Sequence, residues 1–172
     1  MLNTVLTTRE EVSQYKQISY TIYDDVFNST MITTQIEDIA PLLGEELFND
    51  ILNNTSNYDD LLNGSVYEYN GITYHNYGLK SVISYYFYAR YVMFGNAIDT
   101  PFSLIEKLDN EGKSQQVSQR AKEAIYQSNR QTAFTIWQNV ENYLIRTNNI
   151  LFNNINRCYN KENKTFKIKK IS

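Results

Sequence analysis

The stretch YGLKSVISYYFYARYVMFGNAI, residues Tyr77–Ile98, decides the fold class. Leu79, Val82, Ile83, Tyr85, Tyr86, Phe87, Tyr88, Tyr91, Val92 and Phe94 cover nearly the whole circumference of a helix drawn through it. A helix apolar all round is buried on most sides, so this segment predicts the centre of a helical bundle. Many of those residues are tyrosines, whose hydroxyls need partners when buried. That combination suits packing against several helices together with a subunit boundary. Val82, Tyr86, Phe87 and Tyr91 are the expected core residues here, joined by Leu43 and Trp137 from other elements. Thr100-Pro101 is expected to stop the helix, since proline lacks the N–H and clashes with the preceding turn.

Upstream, Val66–Tyr69 and Ile72–His75 flank Asn70-Gly71 and read as two strands joined by a type I′ turn. A lone hairpin is marginal in water, so it must lie on the helices or on another subunit, and Tyr67, Tyr69, Asn70, Gly71 and Tyr74 are its expected contact residues. Further upstream, Thr8 and Glu11 form a capping box for a short first helix that gives way near Gln17–Ser19. A second helix is expected from Asp24-Asp25, acidic residues suited to a helix N-terminus. Its apolar positions are Val26, Phe27, Met31, Ile32, Ile36 and Ile39, with Pro41 expected to break it. Leu42-Leu43-Gly44 makes the corner into a third helix over Glu45–Leu52, and 53–64 reads as a loop with a helical turn near Tyr58–Leu62.

Downstream, Phe102–Leu108 can be extended and Asp109-Asn110-Glu111-Gly112 a turn. Ser118 then caps the longest element, expected from about Gln119 to about Asn156 on the stripe Ala121, Ile125, Ala133, Ile136, Trp137, Val140, Leu144, Leu151 and Ile155. If continuous it is roughly 55 Å long, so a bend, a break near Asn148-Asn149, or a projection is expected. The predicted class is therefore mainly α: a helical bundle with a long C-terminal helix, a small β-hairpin insertion and an extended C-terminal tail. Residues 1–156 form one helical domain with its hairpin at about 65–75, and 157–172 form the basic tail.

With 172 residues, 42% of them hydrophobic, the chain has enough apolar area to exclude wholesale disorder. Asparagine (21 residues) is abundant and alanine (6) scarce, which reads as the codon bias of an AT-rich genome. The single Cys158 excludes an internal disulfide and fits a reducing compartment or a virion. No signal peptide is expected, and no apolar run is long enough to span a membrane. The N-x-S/T matches at Asn28, Asn54, Asn63 and Asn163 are read as chance. Charge is unevenly spread: residues 1–60 carry 2 basic and 11 acidic groups, and residues 119–172 carry 10 basic and 3 acidic. Either the surface is simply asymmetric, or acidic and basic faces meet between neighbouring subunits and set their register.

Few groups could carry catalysis. Ser-His-Asp and Cys-His arrangements would both need His75, at a strand end. Four Cys/His zinc ligands cannot be assembled from one of each, and neither a Walker loop nor Gly-x-Gly-x-x-Gly is present. The pairs Asp24-Asp25, Glu37-Asp38, Glu45-Glu46 and Asp59-Asp60 point about 100° apart on a helix and read as solvated helix starts and faces. Glu111-Gly112-Lys113 with Asp109 resembles a metal-dependent nuclease triplet but falls in a turn. No catalytic, metal or cofactor site is expected. The tail, with Lys164, Phe166, Lys167, Ile168, Lys169 and Lys170, puts basic and apolar residues on alternate positions. It suits strand addition to a partner, phosphate contacts or simply a solvated tail.

Several separated motifs stand out: Pro41-Leu42-Leu43-Gly44-Glu45-Glu46-Leu47-Phe48, then Tyr77-Gly78-Leu79-Lys80 leading into Tyr85-Tyr86-Phe87-Tyr88-Ala89-Arg90-Tyr91, then Thr100-Pro101-Phe102 and the Val117-Ser118 start of the long helix. In their order and spacing they resemble one family, the helical head-to-tail connector (adaptor) proteins of tailed phages, particularly crAss-like and related Bacteroidetes phages. They span about residues 8–147, and Ser103 stands where glycine is expected. The resemblance implies a virion protein at the head–tail junction, assembled in the host bacterial cytoplasm. It would form a homo-oligomeric ring, of twelve copies if it matches the portal, docked beneath the portal protein and against a further connector or tail protein. Double-stranded DNA would pass through the ring in transit. The competing readings are another helical phage interaction protein, such as a tail-completion or regulatory factor, and a metal-dependent nuclease.

Overall fold

The computed structural model describes residues 4–19, 22–94, 97–99, 104–106 and 118–152. The chain is mainly helical, with a small antiparallel hairpin and one long helix. Helix α1 (Arg9–Tyr15) starts at the predicted capping box: the Thr8 hydroxyl accepts from the Glu11 N–H, and the Glu11 carboxylate accepts from the Thr8 N–H at 2.8 Å. Helix α2 (Asp24–Thr34) begins at the acidic pair, and Arg9 ties the two helices by donating to Asp24 at 2.5 Å and to the Ile22 carbonyl at 2.8 Å.

Proline does not end this second helix where expected. A π-helical turn, Gln35–Ile39, follows α2 directly and runs into α3 (Ala40–Leu43), with Pro41 in the first turn of α3. In the wider turn the Ala40 N–H donates to the Gln35 carbonyl, five residues back. That geometry relieves the crowding a proline ring meets in a regular α-turn, and its missing N–H falls where a new helical segment needs none. The chain turns only at Gly44. The altered pitch also changes which side chains face inward. Phe27, Met31 and Ile39 are buried as expected, whereas Val26 and Ile36 lie at the surface, Ile36 half exposed.

Asp38, read from the sequence as half of a solvated acidic pair, is turned inside, its side chain 2% exposed. Its two carboxylate oxygens accept from Arg90 Nε at 2.6 Å and from Arg130 at 2.5 Å, while Glu37 takes a second nitrogen of Arg90 at 2.6 Å. Burial works against the charge on Arg90, but the hydrogen bond and charge of Asp38, with Glu37, outweigh it and raise its pKa. Gln35, fully buried, extends the same logic to the N-terminus: its amide oxygen accepts from the Leu6 N–H at 2.7 Å and its amide nitrogen donates to the Thr4 carbonyl at 2.9 Å. Backbone groups with no sheet or helix to join are thereby satisfied.

Helix α4 (Glu45–Asn53), a 3₁₀ turn (Thr55–Tyr58) and α5 (Asp59–Asn63) lead to strands β1 (Ser65–Tyr69) and β2 (Ile72–Asn76). Helix α6 (Leu79–Phe94) is the hub, packed by α1, α2, α5 and α7 (Gln119–Arg146). Leu79, Val82, Ile83, Tyr86, Phe87 and Ala89 of α6 are all buried. Phe87 meets Phe27 at a tilt, with ring centroids 4.8 Å apart, and stacks on Tyr91 at 6.1 Å. The hub is shorter than its apolar run. It ends at Phe94, before Thr100-Pro101, and Ala97–Asp99 (β3) pairs with Leu104–Glu106 (β4) instead.

Ser118 caps α7 by accepting from the Ala121 N–H. The helix spans 28 residues and stops at Arg146, not at Asn156. Asn148 takes φ 55 in the turn that follows, so the break falls at the predicted asparagine pair, and 150–152 are helical again. Its buried stripe is Ala133, Trp137, Val140 and Leu144, with Ile136 partly buried. Among the expected core residues, Leu43, Val82, Tyr86, Phe87 and Trp137 are buried, and Tyr91 is partly buried against the same cluster.

Candidate interface: the hairpin and its helical support

The hairpin has the turn its sequence demands. Asn70 and Gly71 adopt φ 53 and φ 74, both in the left-handed region that a type I′ turn needs. The register pairs Tyr69 with Ile72, Tyr67 with Tyr74 and Ser65 with Asn76, which puts the tyrosines on one face. That face lies on α7. Tyr67 stacks on Tyr74 at 5.7 Å and meets Tyr143 edge-on at 5.0 Å. The Arg146 guanidinium sits 4.0 Å from the Tyr74 ring and 5.7 Å from that of Tyr69, and donates to the Tyr67 hydroxyl at 3.1 Å. That hydrogen bond raises the pKa of Arg146; burial raises that of the Tyr143 phenol. The hairpin thus rests on the long helix of the same chain.

The base of the hairpin is held by amides. Asn139 of α7 donates to the His75 carbonyl and accepts from the Tyr77 N–H, each at 2.9 Å. Asn76 donates to the Asp60 carbonyl at 2.7 Å and accepts from the Gly78 N–H at 3.1 Å. Gly78, at φ 82, lies against the chain entering the hairpin, so a Cβ there would come within 2.8 Å of backbone atoms of Leu62, Asn63 and Gly64. Only glycine fits both the conformation and the approach.

The other face of the hairpin and its tip are open. On the outer face Val66 is 62% exposed; at the tip Ile72 is 55% exposed and Tyr69, Asn70 and Gly71 are also at the surface, while Tyr67 and Tyr74 are half-buried. His75 is exposed on the outer face. A hollow of about 310 Å³ beside the hairpin's base is rimmed by Tyr58, Asp59, Asp60, Thr147 and Asn149. In its wall the Tyr58 hydroxyl donates to Asp50; burial, and then that carboxylate, push the phenol up to about 12.

Sequence reasoning found the hairpin and its tyrosines but missed Arg146 and Asn139, which fix it in place. The signal available was the alternation of Tyr67, Tyr69 and Tyr74, which gathers three rings on one side and invites a cation. The tail residues Lys164, Phe166, Lys167, Ile168, Lys169 and Lys170 lie outside the described residues, as do Cys158, Thr100-Pro101-Phe102 and the Asp109–Lys113 segment. Among the described residues no three His, Cys, Asp or Glu side chains gather as metal ligands would, and no helix is long and apolar enough to cross a membrane. No curated protein and no solved structure matches this chain. A family model described as a family of unknown function, DUF6712, matches residues 39–164. Matched over most of its length, the chain belongs to the DUF6712 family.

Proposed function

We propose that this protein is a structural subunit of a phage head-to-tail connector ring, docking beneath the portal and enclosing the DNA exit channel, with no catalytic turnover. The observation that carries the reading is the set of connector-like motifs from Pro41–Phe48 through Tyr77–Tyr91 to Ser118. Supporting it, residues from the first two motifs share one core: Leu43, Leu47, Phe48, Leu79 and Phe87 belong to a single buried cluster. The large apolar side chains left open at the hairpin, Val66 on its outer face and Ile72 beside its tip, also suit surfaces that a neighbour covers. In this reading the ring is homo-oligomeric, of twelve copies to match the portal, and a further connector or tail protein binds its far side.

The basic tail is the portal-docking segment. In an extended strand Phe166 and Ile168 would fall on one side and Lys167 and Lys169 on the other, so strand addition would bury one set and aim the other at acidic surface. Electron microscopy of the full chain with its portal should reveal a ring at the portal's base. Deleting residues 158–172 should leave the helical circular dichroism intact and abolish portal binding, and the intact complex should weaken with salt. Portal binding that survives the deletion, together with tight DNA capture by the tail in a filter assay, refutes this assignment.

A further inference from the structure

The two edges of the hairpin differ. Tyr69 and Ile72 flank the two-residue turn as a hydrogen-bonded pair, so Tyr67–Tyr74 and Ser65–Asn76 are bonded pairs as well. The N–H and C=O groups of the residues between them point away from the hairpin. On the β2 side these belong to Thr73 and His75, and α7 closes that edge where Asn139 donates to the His75 carbonyl. On the β1 side they belong to Val66 and Glu68, and there the outward groups have no partner among the described residues.

Strand β1 also lacks the features that keep an edge from pairing. It runs through five consecutive pairs with no bulge, and its sequence, Ser-Val-Tyr-Glu-Tyr, holds neither proline nor lysine. Val66 on this strand is 62% exposed. A regular, unguarded edge is a template for another strand.

A strand-like segment of the same chain lies within reach. Phe152 packs on Trp137 with ring centroids 6.1 Å apart, and Trp137 stands two residues before Asn139, which holds the hairpin's base. Asn149 lines the same hollow as Asp60 and Tyr143, and Tyr143 meets Tyr67 of β1. Residues 153–163 then lead to Lys164, and extended they span roughly 36 Å, against roughly 17 Å for β1. Phe166, Lys167, Ile168 and Lys169 alternate apolar and basic as a strand's two faces do. Pairing within one chain needs little intrinsic affinity, because a short tether supplies an effective concentration on the order of millimolar.

We propose that residues 164–170 add to the free edge of β1 in the same chain, as the third strand of the hairpin's sheet. The contact does not require the portal reading. Where that reading holds, the portal competes with β1 for the same segment.

Amide exchange followed by nuclear magnetic resonance in the full chain tests this. The Val66 and Glu68 amides should exchange at least about tenfold more slowly than in a Phe166→Pro, Lys167→Pro double variant, which removes one N–H from each side of the added strand. The Tyr67 amide, already bonded within the hairpin, should be unchanged. Val66→Pro removes only the outward N–H of β1, a change an edge strand tolerates, and should speed tryptic cutting at Lys164–Lys170. Fast exchange at Val66 and Glu68 in both proteins overturns the proposal. Slow exchange in both overturns it too, since another segment would then cover the edge. Protection that rises with protein concentration would make the occupant the tail of a second copy, and refutes pairing within the chain. A portal complex formed by a chain whose two amides were never protected overturns this contact and leaves the portal reading standing. Tail-dependent protection without portal binding supports the contact and sinks the portal reading alone.

Discussion

Replacing Asp38 with asparagine removes one negative charge from a place where two guanidinium groups meet it. Taking one partner out of a buried ion pair costs about 3–5 kcal/mol, because the remaining charge stays desolvated. Three features here reduce that figure. Arg130 is 33% exposed and can recruit water, Arg90 keeps Glu37 at 2.6 Å, and asparagine retains one acceptor oxygen. Against them, the new amide N–H₂ would face a guanidinium and leave donors opposed, which costs about 1–3 kcal/mol for each group left unsatisfied. The net expectation for Asp38→Asn is a loss of about 2–3 kcal/mol, a large part of the roughly 5–15 kcal/mol that holds a domain together. Urea unfolding followed by circular dichroism reads it directly: with a slope of about 1–3 kcal/mol per molar, the midpoint should fall by about 1 M. Pairing the change with Arg130→Met in a double-mutant cycle should give a coupling of at least about 0.5 kcal/mol. A midpoint shift below about 0.3 M, or a cycle with no coupling, would mean that the carboxylate sits among the arginines without holding α7 to the π-helical turn.

Other expectations follow from the same geometry. Phe87→Ala empties a fully buried ring site at the hub and should cost about 3–5 kcal/mol, read as insolubility or a far lower melting temperature; unchanged melting would remove α6 from the core. Gly78→Ala forces a Cβ to within 2.8 Å of three backbone atoms at positive φ, so it should destabilise by more than about 1 kcal/mol; a neutral result in thermal melts would mean that the hairpin's base yields freely. Tyr58 has its pKa raised from 10.0 to about 12 by burial and by Asp50. Its contribution is therefore present below pH 10 and lost as pH rises through about 12, and Tyr58→Phe should flatten the stability profile across that window. An ultraviolet titration placing this phenol at its ordinary value would contradict the Asp50 contact.

Much of this architecture is legible in the chain because local rules and burial agree there. Thr8 with Glu11, Asn70-Gly71 and Ser118 each specify a backbone conformation through their own side chains or through permitted φ, and each takes it. The uninterrupted apolar run of α6 likewise has one reasonable home. The misreadings cluster where a long-range partner outweighs local chemistry. Pro41 predicts a break, but a π-helical turn before it relieves the clash and keeps the helix going. Glu37-Asp38 looks like water-facing acid until Arg90 and Arg130, 52 and 92 residues away in sequence from Asp38, draw one of the pair inside. Asn139 is one asparagine among many, and nothing local marks it as the residue that clamps the chain leaving the hairpin, at His75 and Tyr77. Apolar periodicity cannot register such pairings, because amide and guanidinium contacts add no stripe.

The π-helical turn over Gln35–Ile39 holds one residue more than an α-helix would over the same span. Losing that residue would let the helix run straight through, yet the segments on either side would rotate by about 100° against each other. Phe27 could not then keep to Phe87 while Asp38 kept to Arg130. The length of this stretch is therefore locked in a way that its composition is not: Ile36 faces water and can vary, but a single-codon deletion beside it would behave as a frame error in three dimensions. Related chains that change length here are expected to carry a compensating change in the first turns of α2 or in the loop before it.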